Sequence, residues 1–145
     1  MTQVAPLGPV YQAGTLSGNP VAMAAGLATL ELLNDADFYP SLFTKTEQLV
    51  TGLRAEAVAA GIPFTSNHIG TMFGVFFTEE SSVSNYQQVM NCNTERFNQF
   101  FHGMLAEGVY LAPAAYEAGF ISAALTTQDI EQTQHAARKV MQSID

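Results

Sequence analysis

A helix that is apolar on every side has to be buried by something, and this chain carries one near its start. Asn19-Pro20 is a strong helix start. The Asn19 side-chain oxygen can accept from an orphan backbone N–H, and Pro20 suits the first helical position, where its missing N–H costs nothing. Val21 to Leu33 then reads as a helix lined by Ala22, Ala24, Ala25, Gly26 and Ala28. Small residues on several sides predict close packing against other backbones. A chain of 145 residues has little material to supply that packing.

The composition carries the same signal. Charged residues make up 12% of the chain, about half of the roughly 25% usual for a soluble domain. Five Lys and Arg stand against thirteen Asp and Glu, a formal charge of −8. With no basic cluster anywhere, neither a nucleic-acid footprint nor an anionic membrane surface is expected. No apolar run reaches the ~18 residues of a spanning helix, and the first residues lack the basic and apolar regions of a signal peptide. The single cysteine, Cys92, excludes a disulfide framework and a cysteine-rich zinc site. A soluble, reduced, cytoplasmic protein is the expectation. Its opening, Met1 to Gln12, has prolines and no periodicity, as if cut from something longer.

Beyond Leu33 the pattern is mixed. Leu42, Leu49, Leu53 and Ala57 recur at helical spacing over Tyr39 to Ala60, with Lys45, Glu47, Arg54 and Glu56 off that face. Gly61 and Pro63 end that helix. Phe64 to His68 leads to Gly70, and Thr71 to Thr78, almost continuously apolar, reads as a central strand. Ser81 to Asn91 is polar and ambiguous between loop and short helix. Asn93 caps a helix over Thr94 to Glu107, striped by Phe97, Phe100, Phe101, Met104 and Leu105, and Gly108 ends it. Val109 to Leu111 and Phe120 to Leu125 read as strands around the loop Ala112 to Gly119. Thr126 and Asp129 form a capping box for the last helix. The fold class is α+β, a small, mainly antiparallel sheet with helices on one face.

Two places could carry chemistry. Gly14-Thr15-Leu16-Ser17-Gly18 runs into the helix start at Asn19. Backbone N–H groups of such a turn and of a helix N-terminus make an anion site, with a hydroxyl from Thr15 or Ser17 as a further donor; a tight turn plus an ordinary cap explains the same residues. No lysine follows in the place a P-loop requires. Glu117 is a lone carboxylate in an apolar loop, where it must be solvated or paired. His68, His102 and His135 lack metal-ligand spacing, and no metal site is expected. Lys45 and Lys139 sit on polar helix faces, with nothing to desolvate them as a Schiff-base lysine requires.

Three stretches resemble a known family. Tyr-Gln-Ala-Gly-Thr-Leu-Ser-Gly-Asn-Pro (Tyr11 to Pro20), Gly-Val-Tyr-Leu-Ala-Pro (Gly108 to Pro113) and Glu-Ala-Gly-Phe (Glu117 to Phe120) look like the glutamate-1-semialdehyde 2,1-aminomutases. These are a branch of the class III pyridoxal-phosphate-dependent aminotransferases. Thr15 to Pro20 alone is similar to the wider group. The resemblance implies a homodimer in which Gly14 and Thr15 bind the cofactor phosphate of the neighbouring subunit. It places Glu117 at the active site, a candidate catalytic residue where related transaminases usually have an arginine for a substrate carboxylate. A carboxylate there suits an amino-aldehyde or diamine end instead.

The implied reaction converts glutamate 1-semialdehyde to 5-aminolevulinate for tetrapyrrole synthesis by way of a diamine, with no net transfer to a second substrate. The family's cofactor-carrying lysine falls upstream of this chain, so the chain alone is expected to be inactive. Leu125 stands where many relatives have a histidine. Residues 1–34 correspond to the end of the large domain and 35–145 to the small C-terminal domain. Another class III transaminase and a non-catalytic anion-binding or dimerisation module are the alternatives.

Overall fold

The computed structural model describes residues 1–144. It divides into two compact units, Met1–Ala36 and Asp37–Asp145.

Unit 1 is a looped segment followed by one helix. Val4 and Val10 form an isolated bridge, and turns carry the chain to α1, Pro20–Leu33. Asn19 caps α1, its Oδ1 accepting from the N–H of Val21 at 3.0 Å and of Ala22 at 3.2 Å. No residue of α1 is buried; Val21, Met23, Leu27, Leu30 and Leu32 are all exposed. The burial that its composition predicts is therefore not supplied within unit 1.

Unit 2 is an α+β fold. Its elements are α2 (Phe38–Ala60), β1 (Thr65–Ile69), β2 (Met72–Phe76), α3 (Tyr86–Met90), α4 (Thr94–Ala106), β3 (Gly119–Phe120) and α5 (Thr127–Met141). The antiparallel sheet has the order β1-β2-β3, with β2 central as the apolar run Thr71 to Thr78 predicts. Gly70 makes the β1–β2 turn tight by taking a φ of +58°, as two-residue hairpin loops require. α2 packs on β1, β2 and α5, and α4 packs on α5. Leu49, Val50, Leu53 and Ala57 of α2 meet Phe77, Phe100, Met104, Ile130 and Val140 in one core.

Helix ends follow their local chemistry. α2 stops at Gly61, which takes a φ of +70° while the Ile62 N–H donates to the Ala57 carbonyl at 2.9 Å. The α5 capping box is complete: Thr126 Oγ1 accepts from the Asp129 N–H at 3.2 Å, and Asp129 Oδ2 accepts from the Thr126 N–H at 2.7 Å. Ser81 to Asn91 resolves into the short helix α3, capped by Asn85.

Two expected strands differ. Val109 to Leu111 is not a strand; Val109 and Leu111 are apolar because they pack on the core, and the Val109 N–H donates to the Met104 carbonyl at 2.8 Å. The strand expected over Phe120 to Leu125 shrinks to Gly119–Phe120. Pairing ends after the Ile121 N–H donates to the Thr71 carbonyl, because a Ser122–Leu125 turn redirects the chain into α5.

Polar side chains tie the elements together. Arg54 donates through Nε to Ser66 Oγ at 2.6 Å and through Nη2 to the Ser66 carbonyl, joining α2 to β1. Lys45 Nζ donates to the Leu125 carbonyl at 2.6 Å, and Arg138 makes a two-pronged pair with Glu56 at 2.8 and 2.9 Å.

Candidate functional site

The Gly14-Thr15 loop lies in unit 1 and Glu117 in unit 2. In the loop, the Ser17 N–H donates to the Gly14 carbonyl at 3.0 Å and the Asn19 N–H to the Leu16 carbonyl at 3.0 Å. A Cβ on Gly14 would stand 2.2 Å from Ser17 Oγ, so a larger residue here would make the Ser17 side chain turn away.

The first donors of α1 are already used. Val21 and Ala22 bond the Asn19 side chain, and Met23 bonds the Asn19 carbonyl at 2.9 Å. The helix N-terminus thus adds less to an anion site than its position promises. Among the described residues, the backbone N–H and the hydroxyl of Thr15 have no partner. Residues 8–19 contain no Asp or Glu. A phosphate fits this loop chemically, since open donors are there and no carboxylate opposes it.

Glu117 sits in the loop between α4 and β3, its N–H donating to the Ala114 carbonyl at 3.0 Å. Its carboxylate is exposed and has no hydrogen-bond or ion-pair partner among the described residues. It lines two neighbouring cavities. One, of ≈ 400 Å³, opens against Met72, Phe76, Tyr86, Val89 and Tyr116; the other, of ≈ 320 Å³, against Val75, Phe97, Tyr110 and Phe120. Phe73, Glu117 and Ala118 belong to both walls.

Neither cavity is lined by Lys or Arg. Asn67 and His68 reach the larger one, but Asn67 Nδ2 donates to the Val83 carbonyl, and His68 Nε2 stands 2.8 Å from Glu47 Oε2. A ligand carboxylate would meet only repulsion from Glu117 here. A ligand ammonium would meet attraction, of the modest size that an exposed carboxylate gives.

The remaining candidates are engaged elsewhere. Lys45 holds the Leu125 carbonyl, and Lys139 pairs with Glu107 at 2.8 Å. Neither lysine lines a Glu117 cavity, so the fit to a pyridoxal phosphate cofactor extends to its phosphate and not to its attachment point. Cys92 donates to the Gln88 carbonyl at 3.3 Å, and burial, aided by Glu80, pushes its thiol away from the reactive thiolate. No cluster of three or more His, Cys, Asp or Glu among the described residues could hold a metal. No helix among them is long and apolar enough to cross a membrane.

Phe73, Tyr86 and Tyr116 escaped sequence reasoning as wall residues.

The aminotransferase class-III family model matches residues 1–144. The chain belongs to the class III aminotransferase family. Solved structures agree in fold. An ω-transaminase from Sphaerobacter thermophilus is 24% identical with a TM-score of 0.75, over 95% of this chain and 32% of that one. A β-phenylalanine aminotransferase from Variovorax paradoxus is 24% identical with a TM-score of 0.73, over 94% and 31%. A glutamate-1-semialdehyde aminomutase from Pseudomonas aeruginosa PAO1 is 22% identical with a TM-score of 0.67, over 89% and 28%. This class III chain therefore spans about a third of the length of the solved structures it matches.

Proposed function

We propose that this class III chain is part of a glutamate-1-semialdehyde 2,1-aminomutase, a homodimeric isomerase that uses pyridoxal phosphate to form 5-aminolevulinate. One observation carries the reading beyond the family: the unpartnered Glu117 carboxylate stands at cavities that no Lys or Arg lines. A transaminase that holds a dicarboxylate substrate by its far end needs a cation there. An aminomutase, handling an amino-aldehyde, is better served by a carboxylate. The stretches Tyr11 to Pro20 and Gly108 to Phe120 support the same branch.

In this reading Thr15 donates its hydroxyl to the cofactor phosphate, and the backbone N–H groups of Gly14 and Thr15 donate beside it. Pyridoxal phosphate, when bound, supplies the electron sink and carries the amine. Glu117 attracts the substrate's amino end and disfavours a second carboxylate. Lys45 and Lys139 take no part, so the 145-residue chain by itself is expected to make no 5-aminolevulinate.

The test uses protein expressed from its natural reading frame, loaded with pyridoxal phosphate and given glutamate 1-semialdehyde with no 2-oxo acid present. The expected result is 5-aminolevulinate in proportion to substrate consumed. Turnover only when a 2-oxo acid acceptor is added would assign the protein to the transaminases instead.

A further inference from the structure

Nothing among the described residues fixes the Glu117 side chain, so its position depends on the backbone that carries it. That backbone is pinned two residues later. Gly119 pairs with Phe73 across β3 and β2, Phe120 pairs with Met72, and the Ile121 N–H donates to the Thr71 carbonyl at 3.0 Å. At this pin the Phe73 ring lies over the glycine. A Cβ on Gly119 would stand 2.3 Å from Phe73 Cζ and 2.6 Å from Cε1, far inside van der Waals contact. The ring is 7% exposed and part of the core cluster, so it can yield only toward the cavities it lines. An aromatic ring laid across a cross-strand glycine is a known way to fix register.

Phe73 has a second role by position. With Glu117 and Ala118 it forms the wall common to the ≈ 400 and ≈ 320 Å³ cavities. The same ring thus packs on Gly119, separates the cavities and backs the loop that carries the carboxylate.

We infer that Phe73 and Gly119 are a size-matched pair of positioning residues that set where the Glu117 carboxylate stands, and with it the preference for an amino end over a carboxylate end. The inference rests on the reading of Glu117 given above and extends it to residues that touch no charge themselves. Adding a methyl group at Gly119 displaces the ring or lifts the loop. Shrinking Phe73 leaves the loop without its support. Doing both lets the new methyl group occupy part of the space the ring vacates, so the two changes compensate.

The experiment is a double-mutant cycle on the pyridoxal-phosphate-loaded protein from its natural reading frame. It reads the ratio of inhibition constants for glutarate, a dicarboxylate, over 1,4-diaminobutane. Glu117→Gln should lower that ratio about fivefold, the size expected of a solvent-exposed charge contact. Gly119→Ala and Phe73→Leu should each lower it about threefold, since displacement weakens that contact without removing it. The double variant should return to within about twofold of the wild type, the non-additivity of residues in contact.

Thermal midpoints are recorded alongside, because loss of packing alone would lower them without moving the ratio. If Gly119→Ala does not fold, Phe73→Leu and the double variant still decide the matter by whether the second change restores the ratio. A ratio untouched by both single variants, or lowered further in the double, overturns the pairing. A ratio that Glu117→Gln leaves unchanged overturns the reading of Glu117 itself, and so separates the two failures.

Discussion

The two units of this chain are built on different physics. Unit 2 has a core: Leu53, Phe77, Phe100, Met104, Ile130 and Met141 are each at most 1% exposed, drawn from three helices and the residue that follows β2. Unit 1 has an apolar helix without any buried residue, and its order comes from turn bonds and the Asn19 cap. Hydrophobic composition alone therefore does not mark where stability lies. Burial does, at about 25 cal/mol per Å² removed from water, and α1 gains none of it within its own unit.

The sharpest way to break this comparison is to cut the same side chain from each unit. Leu53→Ala opens a cavity in the core and should cost about 2–5 kcal/mol. Leu27→Ala, on the exposed α1, should stay within about 0.5 kcal/mol. Denaturant unfolding of the 145-residue chain measures both, and equal losses would mean that α1 is as well packed as α2. Next in size, Asn19→Ala removes the acceptor for two backbone donors and should cost α1 about 1 kcal/mol. Amide hydrogen exchange should show faster opening across Val21–Leu33 with little change at the α5 amides.

The smallest effect concerns acid. The Arg138 hydrogen bonds hold Glu56 below its ordinary 4.5, and the Thr126 hydrogen bonds hold Asp129 below its ordinary 3.8. Both carboxylates have depressed folded-state values, so the stability they add is present above those ordinary values and is lost as pH falls through the folded ones. Unit 2 should therefore weaken as the pH is taken below about 4.5. Arg138→Met should flatten part of that decline while changing stability near pH 7 little, because the arginine is half exposed. A melting series across pH for both proteins reads the difference.

The same contrast explains what the sequence made legible. The seven- and four-residue steps of Leu42, Leu49, Leu53 and Ala57 are a local signal, as are Gly61 and the Thr126–Asp129 box, and each lies where that signal puts it. Strand ends were harder, because they depend on partners far along the chain. An apolar run such as Val109 to Leu111 suits a strand or a loop laid on a core equally well, and only the missing partner strand decides. Glu117 stood out as a lone carboxylate among apolar neighbours. Phe73 did not, because its importance comes from the cross-strand register that sets it opposite Gly119.

The two candidate contacts differ as the units do. Thr15 offers open donors on a loop held by its own short-range bonds, whereas Glu117 depends on a strand pairing backed by the core. For the second, one measurement is decisive: steady-state inhibition of the cofactor-loaded protein and of Glu117→Gln by glutarate. If Glu117 is the group that turns away a second carboxylate, glutarate should bind the variant about twofold more tightly, the diamine's weaker binding supplying the rest of the change in ratio. Equal inhibition of both proteins, with turnover of glutamate 1-semialdehyde unchanged, would contradict it.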